Sequence, residues 1–402
     1  MQRTNIFRFF TATTISIVAT TTLLSAPLVA QESTPSQPGT PTIELVKELE
    51  NPHIADPIAP EPATGDLVKS IELEPIFDKR ERLLSSPDRV GFGAATTGGS
   101  NEVVVSNIEE FISAVSLPNN YVLLAPSLAG QTLFISDTIY IDAENITIDG
   151  SDAPGAVFKP SASFQSNRVM MFSTRPNVII NDITLEAGFF PIGTSNNVGG
   201  IRFSNSGIWV NKVTVSGLWD DAFDLVFGAN NATISKVKTF NTDKSVNLFY
   251  PKSSEKRVSI HSSNFSARQR NPWNQGAKYV HIWNNYIHEA AEYPWFAGTM
   301  TGYTRSQWIG SNYSQTGVAN TISEHNYFRG ESTFIAYTET GNAVQGFIHS
   351  NNDDLGVGGL TGRENVTLTS NPSLFEIPYD YTLLPTSQVK AYVLDNAGAS
   401  LQ

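Results

Sequence analysis

Between residues 220 and 224 the chain reads Asp220-Asp221-Ala222-Phe223-Asp224, three carboxylates in five positions. Like charges this close repel, so the cluster costs free energy unless a cation neutralises it. Oxygen donors of this type suit a hard ion such as Ca²⁺, with Asp220, Asp221 and Asp224 as its ligands. The plainer alternative is an acidic turn between two strands. Directly downstream the sign reverses: from Lys236 to Lys278 nine bases stand against two acids, Asp243 and Glu255, a local net of +7. Within that stretch Lys244 follows the aspartates, and Arg268-Gln269-Arg270-Asn271-Pro272 follows Lys244, each after about one strand-and-turn unit. A lone lysine or a basic turn is ordinarily solvated surface. A basic stripe beside a candidate cation site is the pattern a groove for an acidic polysaccharide needs.

Aromatic residues gather in the same region. All six Trp (209, 219, 273, 283, 295 and 308) lie within one span of about a hundred residues around these motifs. Trp209 and Trp283 fall inside strand-like runs and read as core or groove wall. Trp219, Trp273, Trp295 and Trp308 fall in predicted loops, where indole faces stack on sugar rings. The stretch 289–319, with Tyr293, Trp295, Phe296, Tyr303 and Trp308, reads as a long loop forming a cleft wall or lid.

Short β-runs must position these groups. From about residue 90 the texture is apolar, β-branched runs separated by turn residues. Several share one phrase, as in Val178-Ile179-Ile180-Asn181-Asp182-Ile183 and Ile208-Trp209-Val210-Asn211-Lys212-Val213. Copies begin at 177, 207, 231, 257 and 279, giving steps of 30, 24, 26 and 22 residues. A quasi-repeat of that period, without heptads, predicts a solenoid of short parallel strands. A β-sandwich is the competing architecture. The variable insert lengths favour the solenoid, whose loops can lengthen without breaking the stack. One amphipathic helix is expected over 107–115, with Glu109 and Glu110 in its first turn, capping the open end of the core.

The remaining features bound the setting. The chain has 402 residues, no cysteine and a formal net charge of −12. Zero cysteine excludes a disulfide framework, thiolate metal sites and cysteine catalysis. The acidity argues against nucleic acid as partner of the whole molecule. Residues 1–30 read as a secretory signal peptide: Arg3 and Arg8, a mildly apolar Thr-rich run, then Ala26-Pro27-Leu28-Val29-Ala30. No later stretch approaches a membrane span, so a secreted, monomeric protein is expected. Residues 31–89 read as an acidic, Pro-rich, disordered linker, since residues 31–90 hold nine prolines and 12 acids against six bases. Short helices at 43–50 and 67–74 are compatible with it. The ordered domain is placed at 90–402.

With this frame in place, several blocks resemble the pectate lyases of polysaccharide lyase family one. They are Gly91-Phe92-Gly93-Ala94-Ala95-Thr96-Thr97-Gly98-Gly99, Asn145-Ile146-Thr147-Ile148-Asp149-Gly150 and Val280-His281-Ile282-Trp283-Asn284-Asn285-Tyr286. The tail Tyr379-Asp380-Tyr381-Thr382-Leu383, ending in Ala397-Gly398-Ala399, extends the likeness over roughly 90–400 in the correct order. The resemblance implies an all-β fold, a right-handed parallel β-helix, and a calcium-assisted lyase. It implies Arg270, in Arg270-Asn271-Pro272, as the group that takes the C5 proton, and Lys244 as the contact to a substrate carboxylate. Asp220 and Asp224 match the family's spacing of calcium carboxylates, with Asp221 between them. Arg268, Lys278, Trp273, Trp295 and Trp308 are the expected substrate contacts.

There are departures from the family pattern. Its two earlier calcium carboxylates fall on Asn197-Val198-Gly199, its Trp-x-Asp-His on Trp209-Val210-Asn211-Lys212, and its second arginine near Asn274-Gln275, where Lys278 is the nearest charge. The leading function is therefore a lyase cleaving a polyuronate, most simply pectate, by β-elimination. A calcium-independent lyase on methylated pectin, a solenoid hydrolase using clustered aspartates, and a non-catalytic carbohydrate-binding β-helix are the alternatives. The hydrolase is disfavoured because no Gly-His-Gly follows and the acidic elements stand in reversed order.

Overall fold

A computed structural model describes residues 77–165, 168–188, 198–249, 254–274, 277–288, 305–309, 317–329, 333–336, 344–354, 360–362, 366–369 and 374–401. The leader, the linker to residue 76, Asn197, Gln275, Trp295 and most of the expected 289–319 loop lie outside the described residues.

Every strand pairing among the described residues is parallel, and the strands stack into a right-handed parallel β-helix. One wall is an eleven-stranded sheet in which strands Val178–Asn181, Ser206–Asn211, Asn230–Ser235, Ser254–His261 and Ala277–Trp283 lie in sequence order. The repeated phrase explains it. Val210, Ile234, Ile260 and Ile282 are matched rung on rung and fully buried. Each such side chain contributes roughly 1.5–3 kcal/mol on burial, and the intervening Trp209, Thr233, Ser259 and His281 face away from this core and are covered by residues 83–93 and Tyr379. The quasi-repeat is thus the rung spacing of this one sheet. Its corner is sharp: Asp182, Lys212, Lys236, Ser262 and Asn284, each just after its strand, have φ between 50° and 56°. One left-handed residue turns the chain into the next wall.

A second sheet of sixteen strands carries two such columns, joined through the long strand Lys238–Leu248. The column that matters for chemistry stacks Val169–Ser173, Gly199–Phe203, Asp221–Leu225 and the second half of Lys238–Leu248. Ile201, Phe223 and Val246 stack inward in one row and Phe203, Leu225 and Leu248 in the next. The alternation of a strand then sends Arg202, Asp224 and Asn247, between those rows, outward together.

The expected cap is present as helix Ile108–Val115. The Asn107 side chain accepts a hydrogen bond from the Glu110 amide at 2.9 Å, and Glu110 accepts one from the Ser106 amide at 2.7 Å. Phe111 enters the core and meets Phe158 with ring centroids 4.9 Å apart. Two elements differ from expectation. The end of the supposed linker is a helix, Phe77–Leu84, whose Leu83 packs with Tyr121, Leu123, Ile179 and Trp209. Lys79 ion-pairs with Asp152, and Arg80 Nε donates to the Gly99 carbonyl at 2.9 Å. A helix therefore lies within the stretch read as linker: one buried leucine and two cationic anchors hold residues 77–84 against the domain despite an acidic, Pro-rich composition. A second unforeseen helix, Thr386–Asn396, buries Val389 and Val393 against Tyr286.

Candidate active site

The acidic knot is neither a bare turn nor a cluster of free carboxylates, because each aspartate meets a cation carried on another coil. Lys244 Nζ donates to Asp220 Oδ1 at 3.0 Å. Arg270 Nη1 reaches both oxygens of Asp221, at 3.0 and 2.8 Å. Arg202 Nε donates to Asp224 Oδ2 at 2.7 Å, while Asn247 Nδ2 takes Oδ1 at 3.1 Å. Parallel register builds these meetings. Asp221 is level with Lys244, and Arg202, Asp224 and Asn247 are level with one another on successive strands. Stacked rungs sit about 4.8 Å apart, within side-chain reach. Arg270 closes the cluster from the coil beyond Lys244, two rungs from Asp221, in a left-handed conformation with φ 60°. Its guanidinium lies over the Trp273 ring at 4.3 Å, and its carbonyl accepts from the Val246 amide at 2.8 Å.

Exposure divides the cluster in two. The Asp221 and Asp224 side chains are each 5% exposed, whereas those of Asp220 and Arg202 are 28% and 35% exposed and face solvent. Burial, the largest influence, pushes the Asp221 carboxyl up to about 8, with Asp220 and Asp224 adding to it and Arg270 opposing. Burial also raises Asp224, against the pull of Arg202 and Asn247. For Asp220 burial acts upward too, but Lys244, aided by Arg270, brings the carboxyl below its ordinary value.

Lys244, Arg270, Asp220, Asp221 and Asp224 are thus brought together. Trp273 joins them in a different role from the one expected, and Lys278 does not join them. Trp273, read as a loop residue for sugar stacking, lies in the short strand Trp273–Asn274, is 2% exposed and forms the platform under Arg270. Lys278 is the second residue of strand Ala277–Trp283 of the eleven-stranded sheet and pairs with Glu255 instead. Arg268 and Trp308 fall on strands Asn264–Gln269 and Arg305–Ile309, with only their backbones described. Of the departures, Asn211 belongs to a buried ladder on the other sheet, donating to Asn181 at 2.8 Å and accepting from Ser235 at 2.9 Å. Gly199 is level with Asp221, and a Cβ added there would come within 3.0 Å of Val169 Cγ1. Arg202 and Asn247 went unrecognised in the sequence. Only the phrase Gly200-Ile201-Arg202 at the departure pointed toward the first, and nothing pointed toward the second.

As arranged, these residues do not fit Ca²⁺. Both oxygens of Asp221 and both of Asp224 are already engaged by side-chain donors. Among the described residues no group of three or more metal-ligating side chains converges. Six oxygens or more are usual around this ion.

The resemblance seen in the motifs holds in two comparisons. The chain is 26% identical over 307 residues, 74% of its length, to a pectate lyase A and a probable pectate lyase A from Aspergillus niger, of which it covers 81%. Among solved structures it is similar to the thermostable pectate lyase PL 47, with TM-score 0.54 and 17% identity over 79% of this chain and 98% of that one. A doubly substituted pectate lyase from Xanthomonas campestris gives TM-score 0.51 and 20% identity over 77% and 98%. No family model matches the chain.

Proposed function

We propose that this chain is a secreted polysaccharide lyase that cleaves a polyuronate, pectate above all, by β-elimination. The observation that carries the reading is the meeting of Lys244 and Arg270 on one face around Asp220 and Asp221, in a chain whose relatives at 26% identity are named pectate lyases.

The chemistry follows from the charges. The C5 proton of a uronate becomes acidic when its carboxylate is neutralised, because the developing enolate charge is stabilised by the same cation. Lys244 supplies that charge, exchanging its contact with Asp220 for the substrate carboxylate. Arginine is ordinarily too basic to be found deprotonated. Arg270, however, is bonded to Asp221, whose carboxyl is raised to about 8. The pair acts as one base: Arg270 takes the C5 proton while a guanidinium proton passes to Asp221. The C5 electron pair then forms the C4=C5 double bond as the C4–O bond breaks, and the leaving oxygen takes a proton from solvent. Water adds to no bond. No step runs through a metal ion.

The leader at 1–30 supports export, and among the described residues no helix is long and apolar enough to cross a membrane. The test incubates the purified protein with polygalacturonate, methylated pectin and alginate, following ultraviolet absorbance of the unsaturated product beside new reducing ends. Elimination raises both. Reducing ends without absorbance would establish hydrolysis instead, and neither signal would leave a carbohydrate-binding β-helix.

A further inference from the structure

The acidic cluster is paired from within, each of its three aspartates meeting one cation, Lys244, Arg270 or Arg202. Two of those cations have roles in the proposed chemistry. Arg202 has none, yet its geometry is specific. It is level with Asp224, reaches Asp224 Oδ2 at 2.7 Å, and leaves Oδ1 to Asn247 at 3.1 Å. Ile201 and Phe203 on either side point into the core and are fully buried, so the strand cannot slip without moving two core side chains. Arg202 is therefore pinned with its charge beside a carboxylate on a side chain only 5% exposed. A buried carboxylate left unpaired costs several kcal/mol.

We infer that Arg202 is the resident cation of this site: it occupies the position beside Asp224 that a divalent ion would need, and the cluster is complete without metal. Neutralisation is covalently tethered, and it does not depend on calcium in the surroundings. The inference concerns the cluster itself and holds whether or not the chain catalyses elimination. It also implies a latent metal site, since removing the guanidinium leaves Asp224 and the partly exposed Asp220 on the same face with one positive charge fewer.

The test uses the purified full chain and its Arg202→Ala, Arg202→Lys and Asp224→Asn variants, with thermal unfolding in chelator or in millimolar CaCl₂ at matched ionic strength, and calorimetric titration with CaCl₂. The wild-type Tm is expected to be the same in both buffers, with no saturable calcium heat. Arg202→Ala should melt about 3–6 °C lower in chelator and recover part of that loss in calcium. Arg202→Lys, which keeps the charge, should remain indifferent to calcium. Saturable calcium binding by the wild type that disappears in Asp224→Asn would overturn the inference. So would an Arg202→Ala protein as stable as the wild type in chelator, or one whose loss calcium does not recover. Should Arg202→Ala fail to fold, the wild-type and Arg202→Lys titrations still decide. A wild type that eliminates only with calcium would refute this inference and leave the lyase reading standing.

Discussion

Asp221 and Arg270, 49 residues apart in the chain, meet through both carboxylate oxygens at 2.8 and 3.0 Å over the face of Trp273. This contact joins a buried carboxyl to a guanidinium of the cluster. In the proposed chemistry it turns an arginine that cannot serve as a base alone into half of a two-residue proton acceptor.

Removing either half should therefore remove the chemistry and leave the fold. Arg270→Ala and Asp221→Asn are each expected to lower the initial rate of unsaturated-product formation by about 10²–10⁴-fold. The double variant should be little worse than either single one, since the two act as a unit. Additive losses would show that they act separately.

The pH profile follows from Asp221. Its carboxyl, raised to about 8 chiefly by burial, must be ionised to receive a proton. Below that value it is protonated and unavailable, so the rate should climb from pH 6 toward 8 and level off above. Because the folded value lies above the unfolded one, the contribution of this group to stability runs the other way, being lost as pH rises through about 8. Initial rates across that range, with Asp221→Asn lacking the rising limb, check the assignment.

In the proposed chemistry Lys244 acts on substrate charge. Lys244→Ala is expected to reduce kcat/KM on polygalacturonate by about 10²-fold or more. The loss on highly methylated pectin should be smaller, because an esterified carboxyl carries no charge to neutralise. Equal losses on both polymers would place Lys244 in the scaffold rather than on the substrate.

The stacked core predicts its own weak points. Ile234 is fully buried between Val210 and Ile260 on adjacent rungs. Ile234→Ala should cost about 2–5 kcal/mol in denaturant unfolding. Phe134, 59% exposed, makes the control, and Phe134→Ala should stay within about 0.5 kcal/mol.

The wall of the solenoid was legible because its physics is local. Val178, Ile208, Ala232, Val258 and Val280 recur with a period any one coil can satisfy, and burial does the rest. The capping helix was legible for the same reason: Asn107 and Glu110 are three residues apart. The helix Phe77–Leu84 was not, since its stability rests on Leu83 meeting Trp209, more than a hundred residues away. Trp273 was misplaced because a two-residue strand has too little sequence to announce itself, and its pairing with Asn247 lies a coil away.

The sequence by itself determined the coil, its cap, and the residues carrying charge into one stretch: Asp220, Asp221, Asp224, Lys244 and Arg270. Who pairs with whom was set by the fold. Coil lengths differ from rung to rung, so the partner of Asp224 depends on which residue the preceding turn brings level with it. That residue is Arg202, 22 positions earlier, held there by Ile201 and Phe203 in the core. A parallel ladder sets such neighbours by register, which is fixed by packing across coils and has no signature within any one of them.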